Sequence, residues 1–448
     1  MVRVRSTAMA AAKLTAVVAF AASALTASGA SGEPPSPDRP EGADCFSVGP
    51  TLIVEEQRIV ESLPGDDEPA ATRFIEAAGF ERMVDRFQRR LCRQQDVDGA
   101  TELVESAGNR LWRNAVRRAQ GEIKTGSIDR YDDRPLYWAR VTMSRALREW
   151  TPEFELSSLQ RQALIRILGY TSRGIESVNY PEGATRVLVS GFDTFSLDTS
   201  LRNSNPSGAS ALQLDGRTVR TPKGDVVVQA VMLPVNWSDF DQGIVEDAFG
   251  PWLVDEDARV DTIMTISQTG RGRMDIEKWA GGFRGGFPDN NRAINYGPIS
   301  AAALWPQPQP SPQFIETTLP YQAMIDAGTD PWPVVLNDGI TEWPEGTFPD
   351  PGSLRELPDP TPGSRAASAP GGNYLSNESM YRTNRLRLGA GLPDLPGGHL
   401  HISSLVYPED ERALTSRAFE ADRRGVVDQT IALVEAAGVA AQTSASSP

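Results

Sequence analysis

Histidine and cysteine are scarce in this chain. His399 and His401 are its two histidines, and Cys45 and Cys92 its two cysteines, among 448 residues. The histidines stand two apart with no third ligand of matching character nearby, and the cysteines lack metal-ligand spacing. Neither a metal centre nor a cofactor is therefore expected. With no histidine near either cysteine in sequence, a thiol nucleophile is not expected. Lysine is nearly missing as well, limited to Lys13, Lys124, Lys223 and Lys278. Basic charge is thus almost all arginine, a skew of composition rather than of chemistry. The formal net charge of −15 argues against nucleic acid or an anionic membrane surface as a partner.

Long apolar runs are missing beyond the first residues. Arg3, Arg5 and Lys13 precede an apolar stretch from Leu14 to Ala27, and small residues and Glu33-Pro34-Pro35 follow. This three-part pattern predicts a secretory signal peptide over residues 1–32. The stretch is short and alanine-rich for a membrane span, although an uncleaved anchor is the alternative. The mature chain is expected to be secreted and free of the membrane. Export permits a disulfide between Cys45 and Cys92; two buried thiols are the other reading.

Hydrophobic content of 40% and charged content of 23% are those of a globular protein. Residues 33–50 open with a Pro-, Gly- and Asp-rich arm. Residues 51–175 read as a small all-helical domain. Phe80, Met83, Val84, Phe87 and Leu91 recur at helical spacing, and further helical segments cover residues 99–122, 135–149 and 157–168, with Ser157 or Ser158 as a cap. From residue 183 the pattern changes. Thr185–Ser190, Val226–Leu233 and Asp261–Ser267 read as buried strands, with helices over residues 206–214 and 242–253 between them. The alternation predicts an α/β fold over residues 183–440: an open, mostly parallel sheet with helices on both faces. Residues 328–370, rich in Pro and Gly, read as a lid or an irregular insert. A last helix is expected over residues 431–439, and a tail over 441–448.

Three clusters stand where strands should end, which is where such sheets place their sites. The first is Gly191-Phe192-Asp193-Thr194-Phe195 with Asn205-Pro206-Ser207, a plausible apolar pocket wall and helix start. The second joins Gln268-Thr269-Gly270-Arg271-Gly272-Arg273 to Glu277-Lys278 and Pro288-Asp289-Asn290. Glu277 is either an orienting carboxylate or a surface residue beside Lys278. The third is Gly371-Gly372-Asn373-Tyr374-Leu375-Ser376-Asn377, with Tyr381 and then Gly398-His399-Leu400-His401. Ser376 is either a nucleophile at a helix start, aided by the dipole and free N–H groups, or an ordinary capping serine. On a strand both histidines share one face, with Leu400 opposite, and a structural histidine is the competing reading.

Taken in order, these clusters resemble the pyroglutamyl peptidase type I (pyrrolidone-carboxylate peptidase) family. The match covers residues 185–437. The resemblance implies an open α/β fold and removal of an N-terminal pyroglutamyl group from peptides by a Cys-His-Glu triad. By position it implies Ser376 as nucleophile, His401 as base and then acid, and Glu277 as the group orienting the imidazole. Phe192 and Phe195 would pack on the lactam ring, with Gln268 close by. The implied ligand is a peptide or a small lactam-containing substrate. The departures are several. Ser376 replaces the family's cysteine, Asn373 its threonine, and Lys278 the arginine after the glutamate. Gly286 and Phe287 stand where an arginine precedes Pro-Asp-Asn; Arg284 is the nearest substitute.

Serine changes the chemistry. A thiol of pKa about 8.5 can attack as a thiolate paired with imidazole. A hydroxyl must lose its proton in step with attack, so the base must be well placed. Two functions follow: a serine-type peptidase acting on blocked N-termini, or a disarmed secreted protein that keeps the pocket and binds such ligands. A third reading is an extracellular binding or structural module driven by the helical domain.

Overall fold

The computed structural model describes residues 45–47 and 49–444. Residues 1–32, on which the signal-peptide expectation falls, most of the arm and the last four residues lie outside the described residues. The helical part contains α1 (Val54–Gln57), α2 (Ala70–Ala77), α3 (Glu81–Leu91), α4 (Val97–Ala119), α5 (Arg134–Glu149) and α6 (Ser158–Thr171). Local chemistry sets several of its ends. Asp96 caps α4 by accepting from Gly99 N at 2.7 Å. Of the two serines the sequence offers as the cap of α6, Ser157 is the one used, and it forms a capping box with Gln160, each side chain taking the other's backbone N–H. Cys45 and Cys92 are joined in a disulfide, Cα–Cα 5.6 Å, closing a sequence separation of 47 residues. Opening a loop of that length releases chain entropy in the unfolded state, so a Cys45→Ser/Cys92→Ser variant is expected to lose about 3–4 kcal/mol. Thermal melting of the parent with and without reductant checks this; coincident melts would contradict it.

The second part runs β1 (Thr185–Phe192), α7 (Pro206–Leu214), β2 (Arg217–Thr221), β3 (Gly224–Leu233), α8 (Trp237–Asp241), α9 (Ile244–Phe249), α10 (Pro251–Val254), β4 (Thr262–Gln268) and β5 (Met274–Glu277). It continues with β6 (Trp279–Gly281), β7 (Phe283–Pro288), β8 (Ile294–Pro298), β9 (Phe314–Glu316), α11 (Tyr321–Asp326), β10 (Val334–Asn337), β11 (Ile340–Trp343), β12 (Arg355–Leu357) and β13 (Arg365–Ser368). α12 (Leu375–Gly389), β14 (Gly397–Ile402) and α13 (Arg417–Ser444) complete it.

The main sheet has the order β10-β5-β14-β4-β1-β3-β2. Its centre, β14-β4-β1-β3, is parallel, while β2 runs antiparallel to β3, and β5, with β10 parallel to it, runs antiparallel to β14. Alternate residues of the strands feed two different cores. Val187, Val189, Met264, Ile266, Leu400 and Ile402 face one core, shared with α7, α13 and the helical part. Leu188, Phe192 and Ile263 face the other, built with α8–α10 and the Leu375 and Leu386 side chains of α12. The fold is thus α/β with helices on both faces of a mostly parallel sheet. The helical part does not keep a core to itself: its Leu103, Leu111 and Trp138 belong to the same apolar cluster as the sheet.

The 328–370 segment is more ordered than its composition suggests. Val334–Asn337 joins the main sheet beside β5, and β11, β12 and β13 form a small antiparallel sheet. Proline and glycine density marks its turns and conceals these short strands; β10 is held by β5, far back in the sequence, and the other three by one another.

Candidate active site

The site is built on the carboxyl end of β14. His399 lies opposite Thr265 of β4 and Glu277 of β5, and His401 opposite Ser267 and Asp275. Because side chains alternate along a strand, these six residues and Asn337 of β10, opposite Glu277, share one face. Leu400, Ile266 and Ile276 point into the apolar core behind. The polar face is buried: His399 is 1% exposed, His401 4% and Glu277 1%. The reading of Glu277 as a surface residue is thereby excluded. Its neighbour Lys278 turns outward to pair with Asp359.

His401 Nδ1 meets Glu277 Oε1 at 2.6 Å. The other carboxylate oxygen accepts from Asn337 Nδ2 at 3.0 Å, and the same amide reaches Pro370 O at 3.2 Å. A carboxylate at Nδ1 fixes that nitrogen as the N–H donor, leaving Nε2 of the neutral ring as the lone-pair acceptor. Nε2 has no hydrogen-bond partner among the described residues. The second histidine is differently occupied. His399 Nδ1 lies 2.7 Å from Thr265 Oγ1 and Nε2 lies 2.8 Å from Ser267 Oγ. Burial, with the nearby His401 contributing less, holds its pKa well below the ordinary value, so it is a neutral, fully occupied ring. The two imidazoles meet edge to face, 4.5 Å between centroids. Asp275 is wholly buried on the same face. Burial first and Glu277 second push its carboxyl pKa up, and Arg273 Nε pairs with it at 2.7 Å.

Gly371 closes the imidazole pair from above. A Cβ there would stand 2.9 Å from His401 Cε1 and 3.2 Å from Glu277 Cδ, so only glycine lets the backbone approach this closely. Gly371→Ala is expected to tilt the ring and reduce any His401-dependent turnover by about tenfold or more, with the melting temperature little changed. Parallel kinetics and melting curves check the split.

From Gly371 the chain turns into α12. Its N-cap, Tyr374, provides no side-chain cap, so N–H groups of the first turn lack intrahelical acceptors. Ser376 is the second helical residue and is not the cap. It is half-buried, and its Oγ makes no hydrogen bond to His401 or to any other described residue. The helix start is nevertheless tied to the strand that follows Glu277. Asn377 Nδ2 donates to Gly281 O and Gly281 N donates to Asn377 Oδ1, both at 2.8 Å. Glu378 grips Arg284 through Nε and Nη2, each at 2.6 Å. Gly285 N donates to Asn373 O, and Tyr374 Oη to Pro288 O. Arg284 therefore serves to anchor α12.

The proposed binding residues separate. Phe192 is buried, sits on the same sheet face as the histidines, and stacks on Phe240 at 6.2 Å. Phe195 is half-buried against the same cluster, with its carbonyl accepting from Asn203 Nδ2. Gln268 alternates with Ser267 and so leaves the sheet on the face opposite His401; Arg271, beyond it, pairs with Asp422 of α13. Pro288-Asp289-Asn290 is a brace: Asp289 accepts from Trp237 N, and Asn290 Nδ2 donates to Thr194 O. Sequence reasoning missed Asn337, hidden in the segment read as irregular. It also missed the Thr265 and Ser267 partners of His399, although two polar residues spaced by two in an apolar strand are a legible sign.

Fold and site together define an α/β protein with a helical extension and a carboxylate-oriented imidazole buried at one end of its sheet. Residues 36–169 match the family model described as the PA0049 N-terminal domain, and residues 186–306 and 340–406 that of the PA0049 C-terminal domain. The chain is 32% identical over 497 residues to "Uncharacterized protein PA0049" of Pseudomonas aeruginosa, covering 86% of this chain and 89% of that one. It belongs to the PA0049 family. The boundary between the two family models falls where helical periodicity gives way to strands. Asn337 lies in the interval outside the C-terminal match. Among the described residues no helix is long and apolar enough to cross a membrane.

Proposed function

We propose that the chain is a secreted hydrolase resembling pyroglutamyl peptidase, one that removes an N-terminal pyroglutamyl or related lactam group from peptides through Ser376, His401 and Glu277. The observation that carries this reading is the His401–Glu277 pair. It is a buried, oriented imidazole with its second nitrogen free, formed by residues 124 positions apart in sequence. A structural histidine is expected to have both nitrogens occupied, as His399 has. In the proposed reaction Ser376 Oγ attacks the amide carbonyl while His401 Nε2 takes its proton. Glu277 stabilises the imidazolium that forms. First-turn N–H groups of α12 receive the oxyanion. His401 then protonates the departing amine, and water hydrolyses the acyl-serine.

The second reading, a disarmed binding protein, is favoured by one observation: Ser376 Oγ makes no hydrogen bond to His401. Catalytic hydrogen bonds are often loose in unliganded sites and tighten with substrate, so turnover decides between the two. The test is fluorophore release from a pyroglutamyl-aminocoumarin conjugate by the parent, Ser376→Ala and Ser376→Cys. The hydrolase reading expects parent activity that Ser376→Ala lowers by at least about 10³-fold. An inactive parent with an active Ser376→Cys points to the binding protein. Parent activity that survives Ser376→Ala sinks the serine mechanism.

A further inference from the structure

A cavity of about 400 Å³ lies between the helical part and the carboxyl ends of β1 and β3, and Glu277, Ser376 and His401 are not among its lining residues. Its charged walls come from both parts of the chain. Glu55, Arg140, Arg166 and Arg173 belong to the helical part, and Asp239 and Asp289 to the α/β part. Charges taken from water into such a place cost free energy unless they are paired, and here the pairing is incomplete for both signs. Arg140 and Arg173 share a single carboxylate, Asp193. The Nε of each guanidinium is buried without a hydrogen-bond partner among the described residues. The Asp239 carboxylate also accepts no hydrogen bond among the described residues, and burial pushes its pKa up. Glu55, which accepts from Tyr137 Oη at 2.8 Å and Asn291 Nδ2 at 3.0 Å, is pushed up to about 7, mainly by burial.

We propose that this cavity is a binding site for a small zwitterion of the amino-acid or dipeptide class, its carboxylate received by Arg173 and its ammonium by Asp239 with Glu55. A simple anion would be set against Asp239, and a simple cation against the Arg140–Arg173 pair. A molecule carrying one charge of each sign satisfies both. The volume falls within the range of about 300–1,000 Å³ typical of small-molecule sites. Val141, Ile165 and Leu168 in the lining offer contact to small aliphatic side chains. The site requires the helical part, which gives that part a role beyond packing. The proposal does not rest on the hydrolase reading.

Calorimetric titration of the full chain with L-alanyl-L-alanine tests it, alongside N-acetyl-alanyl-alanine and alanyl-alanine amide. Saturable binding of the free dipeptide is expected, with each blocked form at least tenfold weaker. Asp239→Asn is expected to weaken the free dipeptide at least tenfold. That substitution removes no hydrogen bond accepted by the carboxylate within the described residues, so an unchanged melting curve is the folding control. A Leu304→Ala variant, at a position 94% exposed and outside the cavity lining, is expected to bind like the parent. No saturable binding up to about 10 mM, equal binding of either blocked peptide, or indifference to Asp239→Asn overturns the proposal.

Discussion

His401→Ala is expected to lower kcat/KM for a pyroglutamyl-aminocoumarin substrate by about 10³–10⁴-fold without loss of the fold. The imidazole is asked to take the proton from a hydroxyl that does not ionise near neutrality and to return it to the leaving amine, so its removal costs both steps. Glu277→Gln should show a loss of the same order for a different reason. A carboxamide at 2.6 Å from Nδ1 can present N–H instead of oxygen, which favours the wrong imidazole tautomer. Asn337 already donates to the other oxygen, so one face of the replaced group would meet donor against donor. His399→Gln is the contrasting variant: its two hydroxyl partners hold a ring with no free nitrogen, so its effect should be on stability more than on turnover. Steady-state kinetics on the three variants, with melting curves beside them, distinguish a proton-transfer role from packing. Full activity in His401→Ala would end the triad proposal.

Asp193→Ala is expected to destabilise the protein by about 3–5 kcal/mol, the usual consequence of leaving buried charge without its partner. Arg140 reaches Asp193 through three hydrogen bonds of 2.7–2.9 Å, and Arg173 adds a fourth at 2.8 Å. The Asp193 side chain is 2% exposed and that of Arg140 4%, so water cannot easily take the carboxylate's place. The helical part supplies both arginines and the end of β1 the aspartate. The substitution should therefore loosen one part from the other, lowering the denaturant midpoint. Replacing all three residues by apolar ones of similar size should cost much less, since no charge is then stranded. Chemical denaturation followed by tryptophan fluorescence gives both numbers. A loss below about 1 kcal/mol for Asp193→Ala would mean that the cluster is solvated like a surface pair.

Much of the architecture could be read directly along the chain. Val187-Leu188-Val189 and Val226–Leu233 declare strands buried on both faces. Ser157 with Gln160, and Asn205 with Pro206, declare helix starts. The shift from a period of 3.6 to continuous β-branched runs separates the two parts. These features are local: each depends on a few neighbouring side chains and on backbone preferences. α12 was harder to read. Its buried face carries Glu378, Arg382 and Arg385, paired with Glu246 and Arg284, so it lacks the apolar stripe that announces a helix. Asn337 gave no sign either, because its strand is short and its partner, β5, lies 60 residues earlier.

The sequence by itself determined that His399 and His401 share a strand face, that a glycine pair precedes Ser376, and that strands and helices alternate after residue 183. Each follows from the geometry of one segment. Tertiary structure alone decided which histidine faces a carboxylate and which is consumed by two hydroxyls, because β4 and β5 flank both residues and the outcome depends on which of the two strands each ring turns toward. It also decided that Gln268 turns away from His401, that Asn337 supports Glu277, and that the helical part shares its core and its charges with the sheet. Those outcomes are set by strand register and by pairing across distances that no local pattern encodes.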